Sequence, residues 1–212
     1  MARSIFPVRP MALLALAVLS GCAAPPAVPP VLSLDGRPCA TGPELITAHP
    51  VPLDGGKETK VAVTTDIACM QAADGTRSSY VAFSLPTSPG RYLVTVKSVP
   101  MGQTLFTPRI LLLDGLGKPV REVSHDVFMF HGDILYAGIQ ATPDERYLVV
   151  ASDSSSIGQQ VSQLAGSTQT NTYPVPGGGI FFMTTGSEAT KMLTLAHNGS
   201  LIVSAGPLPK VN

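Results

Sequence analysis

The sequence predicts an all-β chain: a single antiparallel β-sandwich, jelly-roll-like, behind a proline-rich tether. Three observations predict it. Short runs of β-branched, aromatic and leucine residues recur, several with the strict apolar alternation of a half-buried strand. Turn signals rich in Gly, Pro, Asn and Asp separate the runs. The runs recur every 8–12 residues or so, about the spacing of sandwiches and barrels.

The elements follow from about residue 58 onward. Tyr80 to Leu85 alternates, with Val81, Phe83 and Leu85 on one face. Arg91 to Lys97 alternates again, with Tyr92, Val94 and Val96 inward. Ile110 to Leu113 is continuously apolar and stops at Asp114-Gly115, which suits a strand covered on both sides. Runs at Phe128–Phe130, Ile134–Ile139, Tyr147–Ala151 and Ile180–Thr184 come next. Between them lie Gly117-Lys118-Pro119, His131-Gly132-Asp133, Thr142-Pro143-Asp144 and Gly177-Gly178-Gly179. Leu193–His197 and Ser200–Val203 flank Asn198-Gly199, which predicts a type I′ hairpin whose two turn residues need positive φ. Only Ser152–Gln169 breaks the rhythm. It reads as a long surface loop, with a short helix as the alternative.

Ahead of the domain stands an address. Arg3 and Arg9 precede an apolar run, Met11 to Leu19. That run is too short for a bilayer core, which takes about 20 helical residues, and has the shape of a secretory signal. It ends in Leu19-Ser20-Gly21-Cys22, which resembles the lipobox of bacterial lipoproteins. The resemblance implies cleavage before Cys22 and lipid on its thiol and new amino group. It also implies the outer membrane, because the residue after the cysteine is Ala23 rather than Asp. Pro25, Pro26, Pro29 and Pro30 then favour extended polyproline II, a spacer between lipid and domain; a plain disordered leader is the alternative. The predicted division is 1–21 signal peptide, 22–45 lipidated N-terminus and tether, and 46–212 β-sandwich domain.

Composition narrows the function. Lys+Arg and Asp+Glu both number 14, and only 13% of residues are charged, so no basic run exists to track a nucleic-acid backbone. With Cys22 assigned to lipid, Cys39 and Cys69 remain as a pair. In an exported protein they predict a disulfide, with two buried thiols as the alternative.

The candidate chemistry is sparse. His125, Asp126, His131 and Asp133 are the densest group of ligand types, but Gly132 breaks the strand that would align them, so the expectation is a polar strand edge and no metal. There is no G-x-S-x-G elbow, and Ser154, Ser155 and Ser156 beside Asp153 read as loop solvation. Gly177-Gly178-Gly179 lacks a following Lys-Ser/Thr and opens a strand, so it is no phosphate loop. No cofactor is expected. Sugar binding by aromatic stacking has one candidate platform, Tyr173, between a polar loop and Pro174; the other aromatics fall in strand patterns, where core packing is the default.

Three stretches carry a family resemblance: Phe83-Ser84-Leu85-Pro86, Gly90 to Ser98, and Leu105 to Asp114 with its F-x-P-x-x-L-x-L-D motif at 106–114. Together with Tyr147–Ser152, Gly199–Val203 and Gly206–Leu208 they resemble the maltose operon periplasmic protein family (MalM) over roughly residues 55–208. The resemblance implies a periplasmic or lipid-anchored protein associated with sugar uptake, and it brings no catalytic residues. The resulting expectation is a non-enzymatic envelope lipoprotein on the periplasmic face of the outer membrane. It would be an accessory or binding protein linked to carbohydrate (maltose or maltodextrin) uptake, with a carbohydrate or envelope-protein partner. The alternatives are a structural subunit of an envelope assembly, bound edge to edge through a strand, and a hydrolase whose site the sequence hides. The Ser152–Gln169 loop and the adjoining Thr170–Gly178 stretch are the expected surface for ligand or partner capture.

Overall fold

The computed structural model describes residues 31–175 and 179–209; for 164–175, 179–183, 185 and 187–189 it describes the backbone alone. Cys22 lies outside the described residues. Two sheets face each other across one core. The first contains β1 (His49–Pro50), β3 (Cys69–Gln71), β4 (Arg77–Ser84), β7 (Pro108–Leu113), β8 (Pro119–Val123) and β11 (Tyr147–Ser152), in the order β1-β4-β11-β7-β8 with β3 beside β4. The second contains β2 (Thr59–Val63), β5 (Tyr92–Val99), β9 (Met129–His131), β10 (Ile134–Ala141) and β14 (Gly199–Gly206), in the order β2-β14-β5-β10-β9. A third, smaller sheet joins β12 (Gln160–Val175), β13 (Gly179–Ala196) and β6 (Thr104–Phe106). Pairing is antiparallel apart from β1 on β4 and β6 on β13.

The alternation read from sequence is the alternation of burial. Along β5, Tyr92, Val94 and Val96 point into the core while Leu93, Thr95 and Lys97 are only half-buried. The Tyr92 hydroxyl donates to the Pro86 carbonyl at 3.1 Å, and burial pushes it up to about 12. Leu135, Ala137 and Ile139 of β10 and Leu201, Val203 and Ala205 of β14 continue the same face. Val81 and Phe83, Ile110 and Leu112, and Leu148 and Val150 meet them from the first sheet. This is the predicted all-β sandwich, and each fully buried leucine contributes roughly 1.5–3 kcal/mol.

The first sheet is also covered on its outer face, which explains its continuous apolar runs. Met70, Tyr80, Ala82, Leu113, Val149 and Ala151 form a second cluster there, packed by Leu45 and Ala48 of the N-terminal segment. Residues 31–45, within the stretch assigned to the tether from sequence, run across this face and are tied down. Cys39 and Cys69 form the predicted disulfide. Ala40 N–H donates to Cys69 O and Gln71 N–H to Ala40 O. Glu44 N–H donates to the Tyr80 hydroxyl at 2.8 Å, and Arg77 Nη1 to Leu34 O.

Two expectations are corrected. Asn198-Gly199 is no hairpin turn. β13 and β14 lie in different sheets, Asn198 does not have positive φ, and buried Gly199 passes so close to β6 that a Cβ there would meet Phe106 N at 2.6 Å. Glycine is required by that approach rather than by a type I′ turn. Nor is Ser152–Gln169 a loop. After a 3-10 turn at Ser154–Ser156, residues 160–175 form β12, paired antiparallel with β13 from Gln160↔Thr194 to Val175↔Gly179. Its Gln, Ser, Thr and Gly residues show no apolar alternation because, among the described pairings, its only partner is β13.

Candidate binding site

A polar cleft of about 550 Å³ opens where the β3–β4 turn, the β7–β8 pair and both 3-10 turns converge. Asp74 and Thr76 come from the β3–β4 turn, where Gly75 has φ 86°. Asp74 Oδ1 accepts the Thr76 N–H at 2.9 Å, and that bond holds its carboxyl below the usual range. Arg109 of β7 reaches Glu122 of β8 at 2.9 Å. The turn His125–Val127 supplies His125 and Asp126. His125 Nδ1 lies 3.2 Å from Thr107 Oγ1, and Ser124 Oγ donates to Asp126.

Asp153 caps the second 3-10 turn by accepting Ser155 N–H at 3.1 Å, the Asx pattern that side-chain oxygens offer at turn starts. It also accepts from Ser155 Oγ at 2.8 Å and Ser156 Oγ at 3.2 Å. Burial pushes this carboxyl up, but the serine donors outweigh it and hold it below its ordinary value. The cleft therefore presents one guanidinium, one imidazole and several hydroxyls and carboxylates whose positions are fixed by their own hydrogen bonds. Its wall offers both hydrogen-bond donors and acceptors. His125 is the one ring in its wall.

Beneath it lies a second polar group. Ser152 Oγ is 2.6 Å from His197 Nδ1 and accepts Ser79 N–H at 3.0 Å, while Ser79 Oγ donates to His197 O at 2.6 Å. Ser79 Oγ also lies 3.3 Å from Ser152 Oγ, which closes the network around the ring. Burial pushes His197 down, against a smaller upward pull from Asp35. Both serines are fully buried, and the Ser–His pair ties the end of β11 to the residue after β13.

The predicted residues distribute as follows. His125 and Asp126 line the cleft. His131 packs its ring 5.5 Å from that of Tyr136, and Asp133 pairs with Lys191 at 3.2 Å. Among the described residues no group of three or more His, Cys, Asp or Glu could hold a metal ion. Tyr173 stands on β12 opposite Phe181; its side chain lies outside the described residues. Tyr80, Phe83, Tyr92, Phe106 and Phe128 are buried, as core packing requires. Sequence reasoning missed Arg109, Glu122 and Asp74 as cleft residues. Asp153-Ser154-Ser155-Ser156 carried the one usable signal, an Asp two residues before a serine amide.

No curated protein and no solved structure matches the chain. A family model does match, over a shorter span than the resemblance read from sequence. Residues 75–165, from the β3–β4 turn through β11 into the start of β12, match the maltose operon periplasmic protein precursor (MalM), and over that segment the chain is similar to this family.

Proposed function

We propose that this is a non-enzymatic protein of the cell envelope, held at the periplasmic face of the outer membrane by lipid on Cys22, and that it binds a hydroxyl-rich ligand as an accessory of carbohydrate uptake. The observation that carries the reading is the match of residues 75–165 to a family described as a periplasmic protein of the maltose operon. The lipobox-like Leu19-Ser20-Gly21-Cys22 and the Cys39–Cys69 bond, of a kind that persists in oxidising compartments, support the location. The cleft around Arg109, His125 and Asp153 supports binding over turnover, because its carboxylates are already held by neighbouring donors. Calorimetric titration with maltodextrin tests it. Binding should be saturable and weakened at least tenfold in Arg109→Ala and His125→Ala. Absence of heat at millimolar sugar, or turnover that depends on His125, overturns the reading. Mass spectrometry should find residues 1–21 removed and Cys22 lipidated. A second reading, a structural subunit of an envelope assembly, is favoured by the long β12–β13 ribbon, whose edges could accept another strand.

A further inference from the structure

From Ser154 to Ser187 the chain has no Asp, Glu, Lys, Arg or His. That run covers all of β12 and the first half of β13, and the 16-residue β12 is about 54 Å long at ~3.4 Å per residue. The ribbon is rooted in the body: Val161 and Leu193 reach the core, Gly158 N–H donates to Leu195 O, and Lys191 pairs with Asp133. Farther out, among the described pairings, β12 and β13 pair only with each other. A two-stranded ribbon alone is marginally stable in water. Its aromatic residues lie toward the distal end: Tyr173 is opposite Phe181, Pro174 opposite Ile180, and Phe182 opposite Thr172.

The chain's N-terminal side meets the ribbon at its root. Val31, Leu34 and Asp35 share a cavity of about 590 Å³ with Ile157 and His197. Cys22 precedes Val31 by nine residues, and a chain of that length can reach at most about 32 Å. An anchor at Cys22 therefore keeps the ribbon root nearer the bilayer than the ribbon is long.

We propose that the distal end of the β12–β13 ribbon inserts into the interfacial layer of the bilayer that holds the anchor, as a second point of attachment. The proposal rests on the lipidation of Cys22. No charged group has to leave water, and aromatic residues favour the interface. Insertion stops there, because a two-stranded ribbon would carry unpaired N–H and C=O groups into hydrocarbon. Two attachments fix the orientation of a domain that one lipidated cysteine would leave free to rotate.

The chain has no tryptophan, so Phe181→Trp gives a sole reporter. The mature lipidated protein is reconstituted in phosphatidylethanolamine–phosphatidylglycerol vesicles, with or without dibrominated acyl chains. Emission should be blue-shifted and quenched at least twofold by bromine. A control Leu116→Trp, at a position 83% exposed on the turn before β8, should stay red-shifted and unquenched. Tyr173→Trp, on the opposing strand, repeats the reading should Phe181→Trp misfold. Equal, unquenched emission from ribbon and control overturns the proposal. So does a blue shift without quenching, which would place a second copy of the chain over the ribbon. The intact mass of the same sample reads the anchor by itself. Lipidated Cys22 with no quenching removes the insertion alone; an unlipidated, unquenched protein removes both.

Discussion

Ser152 Oγ and His197 Nδ1, 45 residues apart in sequence, meet at 2.6 Å and join the end of β11 to the residue after β13. The pair ties the first sheet to the root of the ribbon. Ser152→Ala leaves His197 Nδ1 and the Ser79 N–H without their buried partner, which costs about 1–3 kcal/mol. Urea unfolding at pH 7.5 measures it.

His197 also predicts a pH dependence. Its folded pKa is lowered by burial, so as pH falls below about 6.5 the unfolded chain takes the proton first. Its contribution is complete above that value, declines as pH drops toward the lowered folded pKa, and is constant below it. Wild-type stability should decrease as pH falls below about 6.5. His197→Gln should show a shallower slope over that range; parallel slopes would assign the dependence to other groups.

Glu145, only 1% exposed, makes the main buried ion pair of the described residues. Arg121 Nε is 2.5 Å from Oε1, and Thr142 N–H donates to Oε2 at 2.8 Å. Burial raises this carboxyl, but Arg121 and the amide outweigh it and hold the group low. Breaking a fully buried pair costs about 3–5 kcal/mol. Water reaches Arg121, whose side chain is 40% exposed, so Arg121→Met should cost less, about 2–3 kcal/mol. Because the folded pKa is lowered, the Glu145 contribution is present above the ordinary carboxylate range and lost as pH falls through the folded value. Acid titration of wild type and Arg121→Met should show that loss in the wild type alone.

Cys39–Cys69 closes a loop of sequence separation 30 and holds residues 31–45 on the outer face of the first sheet. Chain entropy assigns such a loop about 3–4 kcal/mol. Cys39→Ser/Cys69→Ser should lose that much, with earliest hydrogen exchange at Ala40 and Gln71, the amides beside the bond. An unchanged denaturation midpoint would show that apolar packing by Leu45 and Ala48 suffices.

Strands with a wet face and a dry face were legible: Tyr92-Leu93-Val94 alternates because one side meets the core and the other does not. Ile110–Leu113 was legible as doubly covered, though not that residues from the N-terminal tether supply the cover. β12 was illegible because pairing with its own hairpin partner imposes no apolar period. The cleft was half legible. His125 and Asp126 are sequence neighbours, but Arg109, Asp74 and Asp153 join them only when four turns and strands converge, and no spacing encodes that.

Gly199 illustrates a motif whose local meaning was overridden. A Cβ there would stand 2.6 Å from Phe106 N and 2.9 Å from Phe106 Cβ, both fixed in β6. Gly199→Ala should destabilise by at least the ~1–3 kcal/mol typical of overpacking. Asn198→Ala should cost less than Gly199→Ala, since no turn conformation depends on it. The reverse order, read from thermal midpoints, would restore the hairpin turn as the reason for this Asn-Gly.

The ribbon supplies the last prediction. The apolar contacts described between ribbon and body, at Val161, Leu193 and Leu195, lie at its near end. Replacing 165–189 with Asn-Gly joins Leu164 to Thr190, which already face each other across the ladder, by a two-residue turn of the I′ kind. The shortened chain keeps the root and both sheets, so its stability should change by less than about 1 kcal/mol, a midpoint shift of roughly 2–4 °C for a domain of this size. Maltodextrin binding at the Arg109–His125 cleft should be unaffected, because that site draws on no ribbon residue. A large loss of stability would make the ribbon a buttress of the fold. Loss of sugar binding with the fold intact would move the binding site onto the ribbon.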